Sequence, residues 1–395
     1  MSYERTDRAQ LRRSKTIRRG VLGVVLVAMT GITAAHQFVA GAGKPVSVDA
    51  LCPFGGIETL WTVISGAGFI EKTAASAIVL LIGMLALALV MRRSFCGQIC
   101  PLGTLQGLFG SIGGKLFRRR PQIPRSIDRV ARFLKYGILV FFTVWTWQAA
   151  ALVMWPYDPW VAYAHLTSSE LLTSLGAGLA VLVVSLAGSL VYERFFCKYL
   201  CPTGALLGLF SKISLLGIKR DVDACTDCKA CDKTCPMNIE VSTAVAVSSS
   251  ECISCNECVN ACPAVGALEV KRAGGGSVIR PATSTGIVVA LLAVVVAMST
   301  AAGLFAWTMP SLGEAVKQQQ ESGSSGAGKG FDATLIKGYM SMKEISQASG
   351  VPEEEFVKKW GVPEVDIAKP MKEIKDKYGF SPDDVKVWVA ERAGK

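Results

Sequence analysis

The chain has 395 residues, 51% of them apolar, and a mean hydropathy of +0.39, which excludes an ordinary soluble domain and points to a membrane protein. A net charge of +11 would suit nucleic acid, but the basic residues gather beside apolar runs, where they set topology, so no nucleic-acid partner is expected. Thirteen cysteines are present, and eight of them fall in two runs that work only as thiolates, which places that region in a reducing compartment.

Residues 1–19 carry Arg5, Arg8, Arg12, Arg13, Lys15, Arg18 and Arg19 against Glu4 and Asp7, and read as a basic cytoplasmic N-terminus. Five apolar stretches follow at about 20–40, 73–91, 133–155, 171–192 and 284–309, each near the ~20 residues a helix needs to cross the hydrocarbon. No cleavable signal is evident, because the run Val21–Ala40 is long enough to span and no A-x-A site follows it closely. Lys and Arg number ten in segment 92–135, two in loop 41–72 and none in loop 156–170. The N-terminus is therefore expected inside an inner membrane, as is the segment between the fourth and fifth helices, with residues 310–395 outside.

An internal repeat organises the core, 20–218. From Arg93 to Gly110, ten of eighteen residues are identical to those 101 positions later. Each copy holds a C-x3-C-P motif, Cys96-x3-Cys100-Pro101 and Cys197-x3-Cys201-Pro202. Two spanning helices per copy give both copies one orientation, related by an axis along the membrane normal. The four cysteines then read as one shared site for an iron–sulfur centre or another soft metal. They also read as thiol pairs for redox exchange or copper handling, or as buried thiols that cap helices.

Residues 219–272 carry the strongest signal. Cys225, Cys228, Cys231 and Cys235 precede Pro236, and Cys252, Cys255, Cys258 and Cys262 precede Pro263. Both runs fit C-x2-C-x2-C-x3-C-P, in which three close thiolates hold one [4Fe–4S] cluster and the fourth serves the other. Cluster I is thus assigned Cys225, Cys228, Cys231 and Cys262, and cluster II Cys252, Cys255, Cys258 and Cys235. Structural zinc usually pairs two C-x2-C units and does not match this spacing.

Beyond the fifth helix, 310–330 is expected to be a flexible linker, with Gln318–Gly330 of low complexity, and 331–395 a separate extracytoplasmic helical domain. Helical patterns run at about 341–349, 353–360, 370–379 and 382–391, and eleven Lys/Arg against twelve Asp/Glu leave no basic footprint for DNA. On the outer side, Cys52 reads as a packed loop thiol. His36 and His165, the only histidines, are candidate quinone or haem contacts or simple interfacial hydrogen bonders. Glu58 and Asp158 are candidate acceptors of a quinol proton, and Trp61, Trp155 and Trp160 read as an aromatic belt.

The paired C-x3-C-P motifs after membrane helices, CPFGG at Cys52–Gly56 and the tandem cluster runs together resemble the polytopic iron–sulfur membrane proteins of the NapH, NosR and CcoG type over roughly residues 15–310. The resemblance implies electron movement at the cytoplasmic membrane: quinol oxidation feeding a reductase in NapH-like members, support of a reductase in NosR-like members, and copper delivery in CcoG-like members. The C-terminal helical domain lies outside it. The expected protein is mainly α and polytopic, with about five transmembrane helices in a lipid bilayer, two tandem two-helix repeats, an inserted two-cluster ferredoxin module and a small C-terminal helical domain. It relays electrons between a cytoplasmic or quinol donor and a partner redox protein. A metal-handling factor or a redox sensor is the alternative.

Overall fold

A computed structural model describes residues 2–39, 45–46, 52–64, 75–117, 123–149, 153–168, 170–264, 266–272, 278–305, 307–308, 333, 336, 338 and 340–393. It is mainly helical and divides into two units, residues 1–33 with 48–306 and residues 34–47 with 307–395. The linker at 318–330 and the side chain of Trp61 lie outside the described residues.

Helix α1 (Ser2–Phe38) runs 37 residues without a break, so the basic segment and the apolar run are one rod of about 55 Å. Next come α2 (Pro53–Ile64), α3 (Ala75–Met91), α4 (Ser94–Gln98), α5 (Pro101–Leu116), α6 (Arg125–Ala131) and α7 (Leu134–Ala149). The second half holds α8 (Pro159–Ala164), α9 (Glu170–Thr173), α10 (Gly176–Val191), α11 (Phe195–Tyr199) and α12 (Pro202–Phe210). Among the described residues, three stretches are long and apolar enough to cross a membrane: Ala9–Phe38, Ser126–Ala149 and Pro281–Ala301. The apolar parts of α3 and α10, Ser76–Met91 and Gly176–Val191, are shorter. At 1.5 Å per residue each covers about 24 Å, less than the ~30 Å hydrocarbon core. Helix α3 stops where the chain turns left-handed at Arg92 (φ 50°), and α10 stops at an extended Tyr192, with the left-handed turn following at Arg194 (φ 61°), just before the cysteine motif.

Helix α3 buries Ala77, Leu81, Met84, Leu87, Ala88 and Met91, a stripe at helical spacing. Segment 53–64, expected as an outer loop, is instead the helix α2, with Phe54, Glu58 and Thr59 buried. Helix α5 meets α10 through glycine: a Cβ on Gly113 would lie 1.8 Å from the Leu190 carbonyl oxygen. Small residues there let two backbones touch, as they do in membrane bundles. Trp160, read as part of an aromatic belt, is buried and stacks on Tyr163 at 5.0 Å, because Asp158 caps α8 and turns the ring into the core with Leu182.

The ferredoxin motifs sit between two strands. β1 (Leu216–Arg220) pairs antiparallel with β2 (Leu268–Arg272), Ile218 opposite Val270, and both of these side chains are buried. Between them lie two five-residue helices, α13 (Ala230–Thr234) and α14 (Glu257–Ala261), and after them comes α15 (Pro281–Ala301).

In the second unit, helices occupy Met342–Ser349, Glu353–Trp360, Glu364–Ile367, Met371–Tyr378 and Pro382–Ala393. Ser341 and Glu344 form a reciprocal capping box at the first helix, and Gly350, Gly361 and Gly379 end three helices in the left-handed conformation. The core holds Phe356 and Trp388 edge to face at 4.9 Å, with Trp360 against Trp388 at 4.8 Å.

Candidate iron–sulfur centres

The two ferredoxin loops share one backbone device. Asp227 and Lys229 flank Cys228 with φ of 54°, and at an offset of 27 Ser254 (46°) and Asn256 (58°) flank Cys255. Non-glycine residues rarely hold the left-handed region, and here they do so in pairs about the middle cysteine of each motif. The turns curl each loop so that its three cysteines share one side. Helices α13 and α14 then lead to their C-caps, Cys235 and Cys262.

Those two caps cross over. Cys262 lies within electrostatic reach of Cys225 and Cys228, and Cys235 within reach of Cys252 and Cys255. Cys235, Cys252, Cys255 and Cys258 line one cavity with Ile218, Met237 and other apolar side chains. Burial pushes the thiol of Cys235 up to about 12, with Cys255 adding to it. Cys228, in the first loop, is exposed, and its thiol is lowered, first by the backbone N–H of Ala230.

The C-x3-C-P motifs are built alike. Cys100 N-caps α5 and accepts from Gly103 N at 3.4 Å, and Cys201 N-caps α12 and accepts from Gly204 N at 3.2 Å, each with Pro at the first helical position. Helix capping therefore accounts for Cys100 and Cys201. It does not account for Cys96 and Cys197, which are buried beside them. Burial raises the thiols of Cys100 and Cys201, and Cys197 and Cys96 raise both further. Cys100 and Cys201 also pack in one apolar cluster, so the four sulfurs share one neighbourhood. Gln106 Nε2 donates to Cys197 Sγ at 3.4 Å. Thiolates in such a place require a metal or cations to offset their burial.

This neighbourhood abuts the second ferredoxin loop. A Cβ on Gly97 would lie 2.1 Å from the Ile253 carbonyl oxygen, and Gln98 Nε2 donates to Ser254 O at 2.7 Å. Cys96, Cys235 and Cys255 share one core cluster with Ile253 and Met237. Among the described residues, no three His, Cys, Asp or Glu side chains converge at the spacing of a single metal ion.

Charged residues read from the sequence as topology signals take part in this assembly. Glu251, just before Cys252, binds Arg93 Nη1 at 3.0 Å and Lys135 Nζ at 2.5 Å, and both cations are fully buried. Arg18 donates to Gly97 O at 3.0 Å and pairs with Glu257 at 2.5 Å, tying α1 to α14. Arg93 recurs as Arg194 at the motif offset, a signal that could have set it apart from the topology charges, whereas nothing local marks Glu251 or Lys135.

The outer candidates are separate. Cys52 Sγ donates to Asp158 Oδ2 at 3.2 Å, and burial, then Asp158, raises its thiol. Glu58 Oε1 accepts from Thr146 and from the backbone N–H groups of Val153 and Met154. His165 is buried with Nδ1 2.9 Å from Val161 O, one turn back. His36 Nδ1 lies 2.7 Å from Pro45 O.

Apolar helices, tandem cluster loops and two further cysteine loops define a membrane iron–sulfur protein of ferredoxin type. The family described as "4Fe-4S binding domain" matches twice, at residues 73–123 and 175–222, and "4Fe-4S dicluster domain" matches residues 217–274. The chain is 30% identical over 229 residues to the putative electron transport protein YccM of Escherichia coli, covering 57% of this chain and 64% of YccM. It is 30% identical over 189 residues to an uncharacterized protein of Methanocaldococcus jannaschii, covering 46% of this chain and 69% of that protein. The ferredoxin-type protein NapH of Haemophilus influenzae is 30% identical over 151 residues, 38% of this chain and 49% of NapH. No solved structure matches the chain. The chain belongs to the membrane 4Fe–4S ferredoxin-type family, and its cofactors are iron–sulfur clusters. It spans just under two thirds of YccM and about half of NapH.

Proposed function

We propose that this protein is an electron relay of the cytoplasmic membrane, passing single electrons between a cytoplasmic or quinol donor and a partner redox protein. In this reading five helices span the bilayer, with α3 and α10 as the short pair. The ferredoxin module faces the cytoplasm and the C-terminal domain lies outside. Cys225, Cys228, Cys231 and Cys262 hold cluster I, and Cys252, Cys255, Cys258 and Cys235 hold cluster II. Cys96, Cys100, Cys197 and Cys201 jointly hold a third centre.

The observation that carries this reading is the docking of Gly97 onto Ile253, which sets the repeat cysteines against the loop of cluster II. Cys228 of the first loop is exposed, whereas Cys252, Cys255 and Cys258 of the second loop and Cys96 and Cys197 of the repeats are buried, so solvent access favours cluster I. The thiolates would supply iron ligation, and the clusters when bound supply one-electron chemistry. Copper handling by the repeat cysteines is the alternative reading, and the copper content decides between the two.

The test is iron, sulfide and copper analysis with EPR at stepped potentials on the purified full chain. Three clusters require about twelve irons, and two require about eight. Cys228→Ser should remove one ferredoxin signal. Cys100→Ala and Cys201→Ala, made separately, should each remove the same third signal. Full iron content with an intact third signal in either variant defeats the shared centre, and about four irons or fewer in the wild type defeats the two-cluster assignment.

A further inference from the structure

We propose that Arg93 and Arg194 form a reciprocal cationic cradle for the centre held by the four repeat cysteines, and that they raise its reduction potential. This rests on the shared centre proposed above. The two arginines occupy the same position in the two copies, 101 residues apart, and each reaches across to the other copy. Arg93 Nη2 donates to Cys197 O at 3.2 Å, and Arg194 Nη1 donates to Cys96 O at 2.5 Å. Each guanidinium also lies over the glycine that caps the opposite copy's second cysteine. A Cβ on Gly204 would meet Arg93 Nη2 at 2.4 Å, and one on Gly103 would meet Arg194 Nη1 at 2.7 Å. A Cβ at either glycine would displace the guanidinium above it.

Two buried cations are not placed in a core without an anion to face. Arg93 has Glu251, but Lys135 shares that carboxylate, so the group keeps a net positive charge. Among the described residues no carboxylate pairs with Arg194, although it is 4% exposed. The Nε atoms of both arginines are buried and have no hydrogen-bond partner among the described residues. Arg93 lies in electrostatic reach of Cys96, Cys201 and Cys197 besides Glu251, and Arg194 of Cys197, Cys255 and Cys100 besides Glu193, so sulfur supplies most of the anionic partners of both. Four thiolates around a cubane carry net negative charge, and the buried guanidinium N–H groups complement it. This donor set fits an iron–sulfur group between the copies.

The physical consequence is a potential. Reduction adds one negative charge to the centre, and a fixed cation stabilises the reduced state more than the oxidised one, most strongly where water is excluded. Ferredoxin cluster I, by contrast, includes the exposed Cys228, where water screens a charge. Arg194 reaches both Cys255 and the repeat cysteines, so it acts on the two neighbouring centres, while Arg93 acts on the repeat centre and Arg92, in reach of Cys252, acts on cluster II.

The experiment is a potentiometric EPR titration of the full chain carrying Arg93→Gln, Arg194→Gln, or Lys at either position. Each Gln variant is expected to shift the reduction equilibrium of the third centre at least tenfold toward the oxidised form, about 59 mV for one electron. Lys keeps the charge and should recover most of that shift. Arg194→Gln should also lower cluster II. A third centre present with an unmoved midpoint in both Gln variants overturns the cradle while leaving the shared centre standing. If the Gln variants fail to fold, wild-type protein with 15N-guanidino arginine decides the matter. A 15N coupling to the third centre, at a potential where it alone is paramagnetic, is expected. Its absence rejects the cradle. Loss of the third signal in Cys100→Ala and Cys201→Ala is a separate measurement, so failure of the centre and failure of the cradle are distinguishable.

Discussion

The two cysteine loops at 96–100 and 197–201 share their helix caps, their prolines and their crossing arginines, yet different surroundings meet them. Where the first loop has Gly97, the second has Lys198. Gly97 admits the Ile253 carbonyl to within what a side chain would forbid, so the first loop receives the cluster II segment backbone to backbone. Lys198 is buried, and its Nζ donates to Asn238 Oδ1 at 2.8 Å, just after Cys235. Burial pushes that ammonium down to about 8, with Arg132 adding to the effect. The arginines differ as well. Arg93 is anchored by Glu251, which has no counterpart on Arg194 among the described residues. A duplicated core has thus kept its cysteine geometry and specialised its exterior, one copy as the seat of the ferredoxin module and the other as its clasp.

The largest effect should come from breaking the anchor that only the first copy has. Glu251→Ala leaves Arg93 and Lys135 as buried, unpaired cations, and removing one member of a buried ion pair costs about 3–5 kcal/mol. Since Glu251 adjoins Cys252, the full-length variant should lose cluster II absorbance at a distinctly lower temperature than the wild type. An unchanged loss temperature would mean that the triad is not what seats the loop.

Next in size is a change at the seat itself. Gly97→Ala pushes a methyl group into the Ile253 carbonyl, and relieving such a contact in a packed core costs about 1–3 kcal/mol. The expected readout is slower electron exchange between cluster II and the third centre in freeze-quench EPR, with both centres still assembled. Lys198→Met, the matched change in the second copy, removes a buried charge together with one hydrogen bond and should move the same rate less. Equal slowing by the two variants would break the distinction between seat and clasp.

Much of this arrangement was legible in the residues. The cysteine spacing, the offset of 101 and the proline after each second cysteine are local patterns, and local chemistry dictates their loops. Asp227, Lys229, Ser254 and Asn256 turn left-handed because the cysteines on either side must converge, a demand that the spacing already states. The ion network was not legible. Arg18, Arg93 and Lys135 read as charges at membrane ends, but their carboxylate partners stand 239, 158 and 116 residues away along the chain. Segment 53–64 read as a loop because it is too short to span, yet its apolar face makes it a helix against α3. Composition marks what a segment tolerates, whereas long-range pairing decides where it goes.

The smallest expected effect lies outside both copies and serves as their control. In the C-terminal unit Asp366 accepts from Lys369 at 2.6 Å, Tyr378 Oη at 2.6 Å and Lys377 at 2.9 Å, and those bonds, Lys369 foremost, hold its carboxyl well below the usual carboxylate range. A carboxyl depressed on folding adds stability above its unfolded pKa of about 3.9, and that stability drains away as pH falls below it. Both lysines are largely exposed, so solvent and salt screen the pair and the gain is modest. Hydrogen exchange of residues 340–393 in the full chain should therefore quicken as pH is lowered from 5 toward 2, after correction for the intrinsic rate. Asp366→Asn should exchange faster at pH 7 and respond less to acid. Neither change should move a cluster potential, because the core of this unit, Phe356, Trp360 and Trp388 among it, contains no cysteine. A shift in any cluster midpoint on Asp366→Asn would mean that the two units are energetically coupled, and the comparison of the two cysteine loops would then have to include the tail.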